Sequence, residues 1–225
     1  MNRQDEIVLR IKPDGSVTVE DTEKGIVFTK NITGADLIES IKDSIPRDPV
    51  KISTGILPKN CAAFCLSESG GRFVAVEFDA GYADVTYRNT PYPHFPLPKL
   101  VFGFHLNTGG KVTSVDLGVP ANERLTEKTP MYIYPFSNVR KFGLCTGRNE
   151  LPTVKSLSQL TGLPWFILGL PDNDDNYNDR NRALGMGHRE LREHLKNRDA
   201  AYYYEKVLIP MRRNTFKDFI NQKLD

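Results

Sequence analysis

Apolar residues alternate with polar ones through Ile7, Leu9 and Ile11 and again through Val17 and Val19, with Pro13-Asp14-Gly15 between the two runs. A period of two broken by a Pro/Gly turn predicts a β-hairpin. Ile26-Val27-Phe28 supplies a third strand. At Thr33-Gly34-Ala35-Asp36 the spacing becomes helical, with Leu37, Ile38, Ile41 and Ile45 repeating on one side and Pro46 and Pro49 ending the run. Residues 1–55 therefore read as a β-rich N-terminal extension or subdomain, and residues 56–225 as a second domain.

In the second domain, apolar stretches at 62–66, 72–78 and 83–87 are separated by Ser69-Gly70-Gly71 and by Gly81, the signature of an antiparallel meander. Four prolines in 90–98 remove the amide donors a sheet needs, so this segment is expected to be a rigid loop. Strands at 99–106 and 111–117 flank Asn107-Thr108-Gly109-Gly110, the strongest hairpin signal of the chain. A further strand is expected at 131–134. Beyond it the pattern turns helical at 156–161, 189–198, 202–209 and 215–224, so the class is α+β with strands first and helices last. Trp165-Phe166-Ile167-Leu168 is expected in the core, His188 and His194 on the surface, and Tyr202-Tyr203-Tyr204 around a helix.

With 225 residues, 39% hydrophobic and 26% charged, the chain has enough apolar surface for a real core. A formal net charge of +2 without a Lys/Arg run argues against nucleic-acid binding. The charged start MNRQDEIVLRIKPDG is unlike a secretory signal, and no apolar window is long enough for a membrane span, which makes the cytoplasm the expected compartment. Three cysteines, Cys61, Cys65 and Cys145, are an odd set and suit reduced thiols. Cys61 and Cys65 lack the spacing of a zinc or redox pair, and Asp172-x-Asp174-x-Asn176 lacks the glycine and bidentate Glu of a calcium loop, with Tyr177 and Ala183 in their places. No metal or cofactor is expected.

Chemistry concentrates where the aromatic strand Tyr132-Ile133-Tyr134 enters the turn Pro135-Phe136-Ser137-Asn138-Val139 and then Phe142-Gly143-Leu144-Cys145. Gly143 and Gly147 bracket the cysteine and let a large partner approach its thiol, and Asn138 offers a neutral amide to an oxyanion. Arg140, Lys141 or Arg148 would favour the thiolate. The run 172–179 holds candidate carboxylates, of which Asp175 or Asp179 would orient or deprotonate an incoming amine; the same run also suits a solvated loop of Asx-turns.

These residues resemble the ubiquitin-conjugating (UBC) fold, in which an antiparallel meander ends in an aromatic strand, a Tyr-His-Pro-Asn turn and a Gly-x-Ile-Cys segment. Tyr134-Pro135-Phe136-Ser137-Asn138-Val139 takes the place of the turn and Gly143-Leu144-Cys145 that of the cysteine segment. The Pro-x-x-Asn-Val turn followed by Gly143-Leu144-Cys145-Thr146-Gly147 is similar to prokaryotic UBC family D, the branch to which the PRTRC-system B proteins belong. The resemblance implies a transferase that takes a ubiquitin-like protein as a thioester on Cys145 and passes it to an amine. The implied partners are the ubiquitin-like protein, a ThiF/E1-like adenylating enzyme and a JAB-type peptidase. Phe136 stands where the eukaryotic family has its structural histidine, and Ser137 where it has proline, so the turn must be braced differently. Two other readings stay open: a catalytically silent UBC-like binding module, and a cysteine hydrolase pairing Cys145 with His188.

Overall fold

The computed structural model describes residues 7–23, 26–44 and 53–222. The chain divides into two compact units, Met1–Ser53 and Thr54–Asp225.

In the first unit β1 (Ile7–Ile11), β2 (Val17–Glu23) and β3 (Ile26–Ile32) form an antiparallel sheet in that order. Leu9 pairs with Val19, Ile11 with Val17 and Val17 with Ile32, so the alternation puts Leu9, Ile11, Val17, Val19, Phe28 and Ile32 on one face, with Val8 and Val27 on the other. Gly15, at φ 81°, closes the first turn, and the Asp14 carboxylate accepts the Ser16 amide at 2.9 Å. Helix α1 (Gly34–Ser44) begins at a reciprocal cap: Thr33 Oγ1 accepts the Asp36 amide at 3.1 Å while Asp36 accepts the Thr33 amide at 3.0 Å. The expected helical position Ile45 and the terminators Pro46 and Pro49 lie outside the described residues.

In the second unit β4 (Cys61–Leu66) and β5 (Arg72–Phe78) form one hairpin, β6 (Gly81–Tyr87) and β7 (Thr90–Leu97) a second, and β8 (Leu100–Leu106) and β9 (Val112–Pro120) a third. Then come β10 (Pro130–Tyr132), the short β11 (Val139–Arg140) and β12 (Gly143–Leu144), and much later β13 (Pro210–Thr215). The main sheet has the order β4-β5-β8-β9-β12-β11, all antiparallel, with β10 against the end of β9 and β13 against β10.

Two expectations change here. The proline segment is a strand: β7 pairs with β6 and with nothing else among the described residues. A strand with one neighbour has half its amides facing away from the ladder, where proline is tolerated. Pro93 and His94 bulge opposite Asp84, whose carboxylate takes the His94 amide at 2.8 Å. Because this hairpin leaves the main sheet, the strand beside β5 is β8 rather than 83–87. The second change is β13, a strand beyond the cysteine, so the helices do not simply follow the strands.

Both faces of the main sheet are covered. Val74, Val76, Phe102, Phe104, Val115 and Leu117 face the larger core, while Phe73, Ala75, Val101 and Met131 face a smaller one with Phe142, Phe216 and Phe219. Such two-sided burial explains why β5 and β8 are nearly continuous apolar runs. Gly103 is required on the smaller side, since a Cβ there would meet the Phe73 ring at 2.5 Å.

The larger core is closed by α2 (Leu163–Gly169), α3 (His188–Leu195) and a π-helical turn at Tyr203–Val207, the smaller by α4 (Phe216–Ile220). The helix expected at 156–161 is a 3-10 helix, Leu157–Gly162, capped reciprocally by Ser156 and Gln159. Trp165 and Phe166 are exposed, against expectation: α2 buries Leu163, Pro164, Ile167 and Leu168, and at helical spacing residues 165 and 166 fall on the other side. Among the described residues no helix is long and apolar enough to cross a membrane.

Candidate functional site

Two aromatic anchors set the position of the turn between β10 and β12. Phe136 is fully buried in the larger core, within 5.5 Å of Tyr134 and 5.8 Å of Phe95 by ring centroid. Phe142 is fully buried on the other side of the sheet, 5.2 Å from Phe219. The chain between them is drawn tight. Asn138, at φ 63°, accepts the Cys145 amide on its carbonyl at 2.7 Å and donates its own amide to the Asp175 carbonyl at 2.7 Å. Asparagine tolerates this left-handed backbone better than most residues. Pro135 and Ser137 are buried, and the Phe136 carbonyl accepts from the Asn181 side chain at 2.7 Å.

Cys145 leaves the end of β12 exposed. Gly143 before it is paired opposite Asp116 on β9, and Gly147 after it, at φ 62°, opens the turn closed by Asn149 onto the Thr146 carbonyl. The cysteine opens onto a cavity of about 130 Å³ lined also by Ser137, Asn138, Asp172, Asp175 and Arg192. Three side-chain atoms of this lining are buried without a hydrogen-bond partner among the described residues: Ser137 Oγ, Asp172 Oδ1 and Arg192 Nη1. Among the described residues the Asn138 side-chain amide also makes no hydrogen bond, so it is available to a bound group.

Behind the cavity lies a buried polar network that no motif marks in the sequence. Arg192, only 2% exposed, pairs through Nη2 with Asp172 Oδ2 and donates Nε–H to His188 Nε2 at 3.2 Å. That leaves His188 Nδ1–H to donate to Asp174 Oδ1 at 3.2 Å, where the Tyr87 hydroxyl also donates at 2.7 Å. The guanidinium lies 4.4 Å above the Phe136 ring. Aromatic faces attract such a cation, most strongly where water is excluded. Phe136, Arg192 and Asn181 thus brace the turn. Burial lifts the Asp172 carboxyl from 3.8 to about 6 despite the Arg192 ion pair. Burial first, and then the Arg192 charge, lower His188 to about 4, so this histidine is neutral near pH 7.

The structure groups some of the expected residues and separates others. Asn138, Cys145, Ser137, Gly147 and Asp175 line one cavity. Asp175 is held in an Asx-turn, its amide on Asn173 Oδ1 at 2.7 Å and its carboxylate accepting from Asn173 Nδ2 at 2.9 Å. Asp179 is not at this cavity: its side chain is 91% exposed and pairs with Arg182 at 3.1 Å. Arg140, Lys141 and Arg148 line other surfaces, and the cation of the cavity is Arg192. His188 is buried at 4% exposure rather than on the surface, stacked 4.7 Å from Tyr177. Both its ring nitrogens are engaged and it does not line the cavity, so it has no lone pair to offer Cys145. Cys61 and Cys65 are half-buried free thiols, and burial pushes both thiols up. Among the described residues no group of three His, Cys, Asp or Glu side chains is placed to hold a metal ion. Comparison with protein-family models, with curated proteins and with solved structures finds no match to this chain.

Proposed function

We propose that the protein is a ubiquitin-conjugating-like transferase that carries a ubiquitin-like protein as a thioester on Cys145. The observation that supports this reading most is the coupling of Asn138 to Cys145 by a 2.7 Å backbone hydrogen bond, with both facing one cavity beside an exposed thiol. An antiparallel sheet with helices on its faces is compatible with a UBC-like domain.

In the first step the Cys145 thiolate attacks the thioester carbonyl on an adenylating enzyme. A C–S bond to Cys145 forms, the old C–S bond breaks, and the departing thiolate takes up the proton that Cys145 gave. In the second step an amine attacks the new thioester, and its oxyanion is met by the free Asn138 amide. The Cys145 thiolate leaves as the C–N bond is completed. The amine's proton passes to Asp172, which lines the cavity, keeps Oδ1 unpartnered and, with a pKa of about 6, is ionised yet basic near neutrality. The ubiquitin-like protein, a ThiF/E1-like adenylating enzyme and a JAB-type peptidase are the partners this reading calls for.

The test is discharge of preformed adduct onto a free amine. Asn138→Ala is expected to load normally and discharge about a hundredfold more slowly. For the native chain the discharge rate is expected to rise with pH through about 6 as Asp172 ionises, and in Asp172→Asn that limb disappears. Discharge at the native rate in Asn138→Ala would overturn the assignment. Tight partner binding without any adduct would instead identify a silent UBC-like module.

A further inference from the structure

On the far side of the turn from Cys145 lies a second, larger concavity of about 690 Å³. Its cations are Arg140, Lys141, Arg180 and Arg212, drawn from three separate segments, and among the described residues no carboxylate lines it. Among the described residues none of the four makes an ion pair, although the chain has 28 Asp and Glu residues to 30 Lys and Arg. In a chain so balanced, four unpaired cations around one groove form a local field selective for negative charge. Arg140, Arg180 and Arg212 are exposed, so their guanidinium forks are open to carboxylates.

One wall is β13, which has β10 as its only strand partner among the described residues and contributes Pro210, Met211, Arg212 and Asn214 to the lining. Between its two paired ends, Pro210 opposite Tyr132 and Thr215 opposite Pro130, residues 211–214 bulge, with Arg213 at φ 67°, and Arg212 lines the groove from this bulge. Tyr134 is the only aromatic liner, and it is shared with the Cys145 cavity. Without a row of aromatic faces the groove lacks the stacking platform of single-stranded nucleic-acid sites, and a volume of about 690 Å³ exceeds what a single phosphate fills.

We propose that this groove docks an acidic polypeptide segment, with its Asp and Glu side chains on Arg140, Arg180 and Arg212. Binding here does not depend on Cys145 chemistry, so it stands or falls separately from the thioester reading. The shared Tyr134 means that a segment bound here would lie next to the Cys145 cavity.

The experiment is fluorescence anisotropy of a labelled peptide of alternating Glu and Thr titrated with the full chain, native and Cys145→Ala. Saturable binding is expected for both, weakening as salt rises. An Arg140→Glu/Arg212→Glu chain is expected to bind at least about tenfold more weakly, while Lys155→Glu, a charge reversal outside the groove, matches the native chain. Arg140→Lys/Arg212→Lys, which keeps the charge and any fold requirement, should retain most of the affinity. Equal binding of a Lys-Thr peptide, preference for a single-stranded DNA oligomer or for inorganic phosphate, or native affinity in the doubly reversed chain would each overturn the proposal.

Discussion

Phe136 shows how one buried ring holds a turn. It puts a fully buried ring under the Arg192 guanidinium, among Tyr134, Phe95 and Tyr203. Phe136→His is therefore expected to destabilise this protein by ~2 kcal/mol. It buries a polar ring beneath a cation with no partner arranged for it. The urea midpoint of the variant measures this, and an unchanged midpoint would show that Arg192 does not depend on the aromatic face. Cys145 and Asn138 were visible in the sequence because their types and spacing carry chemistry. The network of Asp172, His188 and Arg192 was not: the sequence offers Asp172 only as one carboxylate of a loop and His188 only as a surface residue or a hydrolase partner, since their meeting depends on the 171–181 loop docking on β6, where the Asp172 amide reaches the Thr86 carbonyl at 2.9 Å.

Hairpins were the most legible elements, because each turn states its geometry in residue types. Asn107-Thr108-Gly109-Gly110 closes as expected between β8 and β9, with Gly110 at φ 82° donating to the Asn107 carbonyl at 3.0 Å. A Cβ at Gly110 would also come within 2.3 Å of the Val154 carbonyl oxygen. Gly110→Ala should cost more than ~1 kcal/mol through backbone strain and this clash together. Gly109→Ala, which meets nothing closer than 3.5 Å and has no positive φ, should cost less. Equal melting temperatures for the two variants would contradict that account. The elements that sequence reading misjudged were decided by neighbours rather than by local preference. The proline-rich β7 is a strand because it has one partner and can afford missing donors on its other edge. β13 pairs with β10 from 78 positions away (210 less 132), which no local pattern announces. Trp165 lies outside because α2 exposes the side on which it falls.

Across the second unit, the buried network ties folding to pH through two opposing groups. His188 has a folded pKa of about 4 against an ordinary 6.5, so the unfolded chain takes up its proton first and stability is lost as pH falls from 6.5 towards 4. Asp172 has a folded pKa of about 6 against 3.8, so the folded chain takes up its proton first and stability is gained as pH falls over nearly the same window. Each effect is ~3 kcal/mol, and they largely cancel. As pH falls from 6.5 to 4, Asp172→Asn, left with the histidine alone, is therefore expected to lose ~3 kcal/mol more stability than the native chain does. Urea unfolding at several pH values checks this, and parallel curves for the two chains would refute it.

The reading of Cys145 as the carrier of a thioester is decided by intact mass. The native chain is incubated with an adenylating enzyme, ATP and a ubiquitin-like protein drawn from one bacterial modification cassette. The expected product has the summed mass of chain and ubiquitin-like protein less one water, reverts on adding thiol, and does not form with Cys145→Ala. An adduct that survives thiol, or one that Cys145→Ala forms equally well, would contradict the assignment.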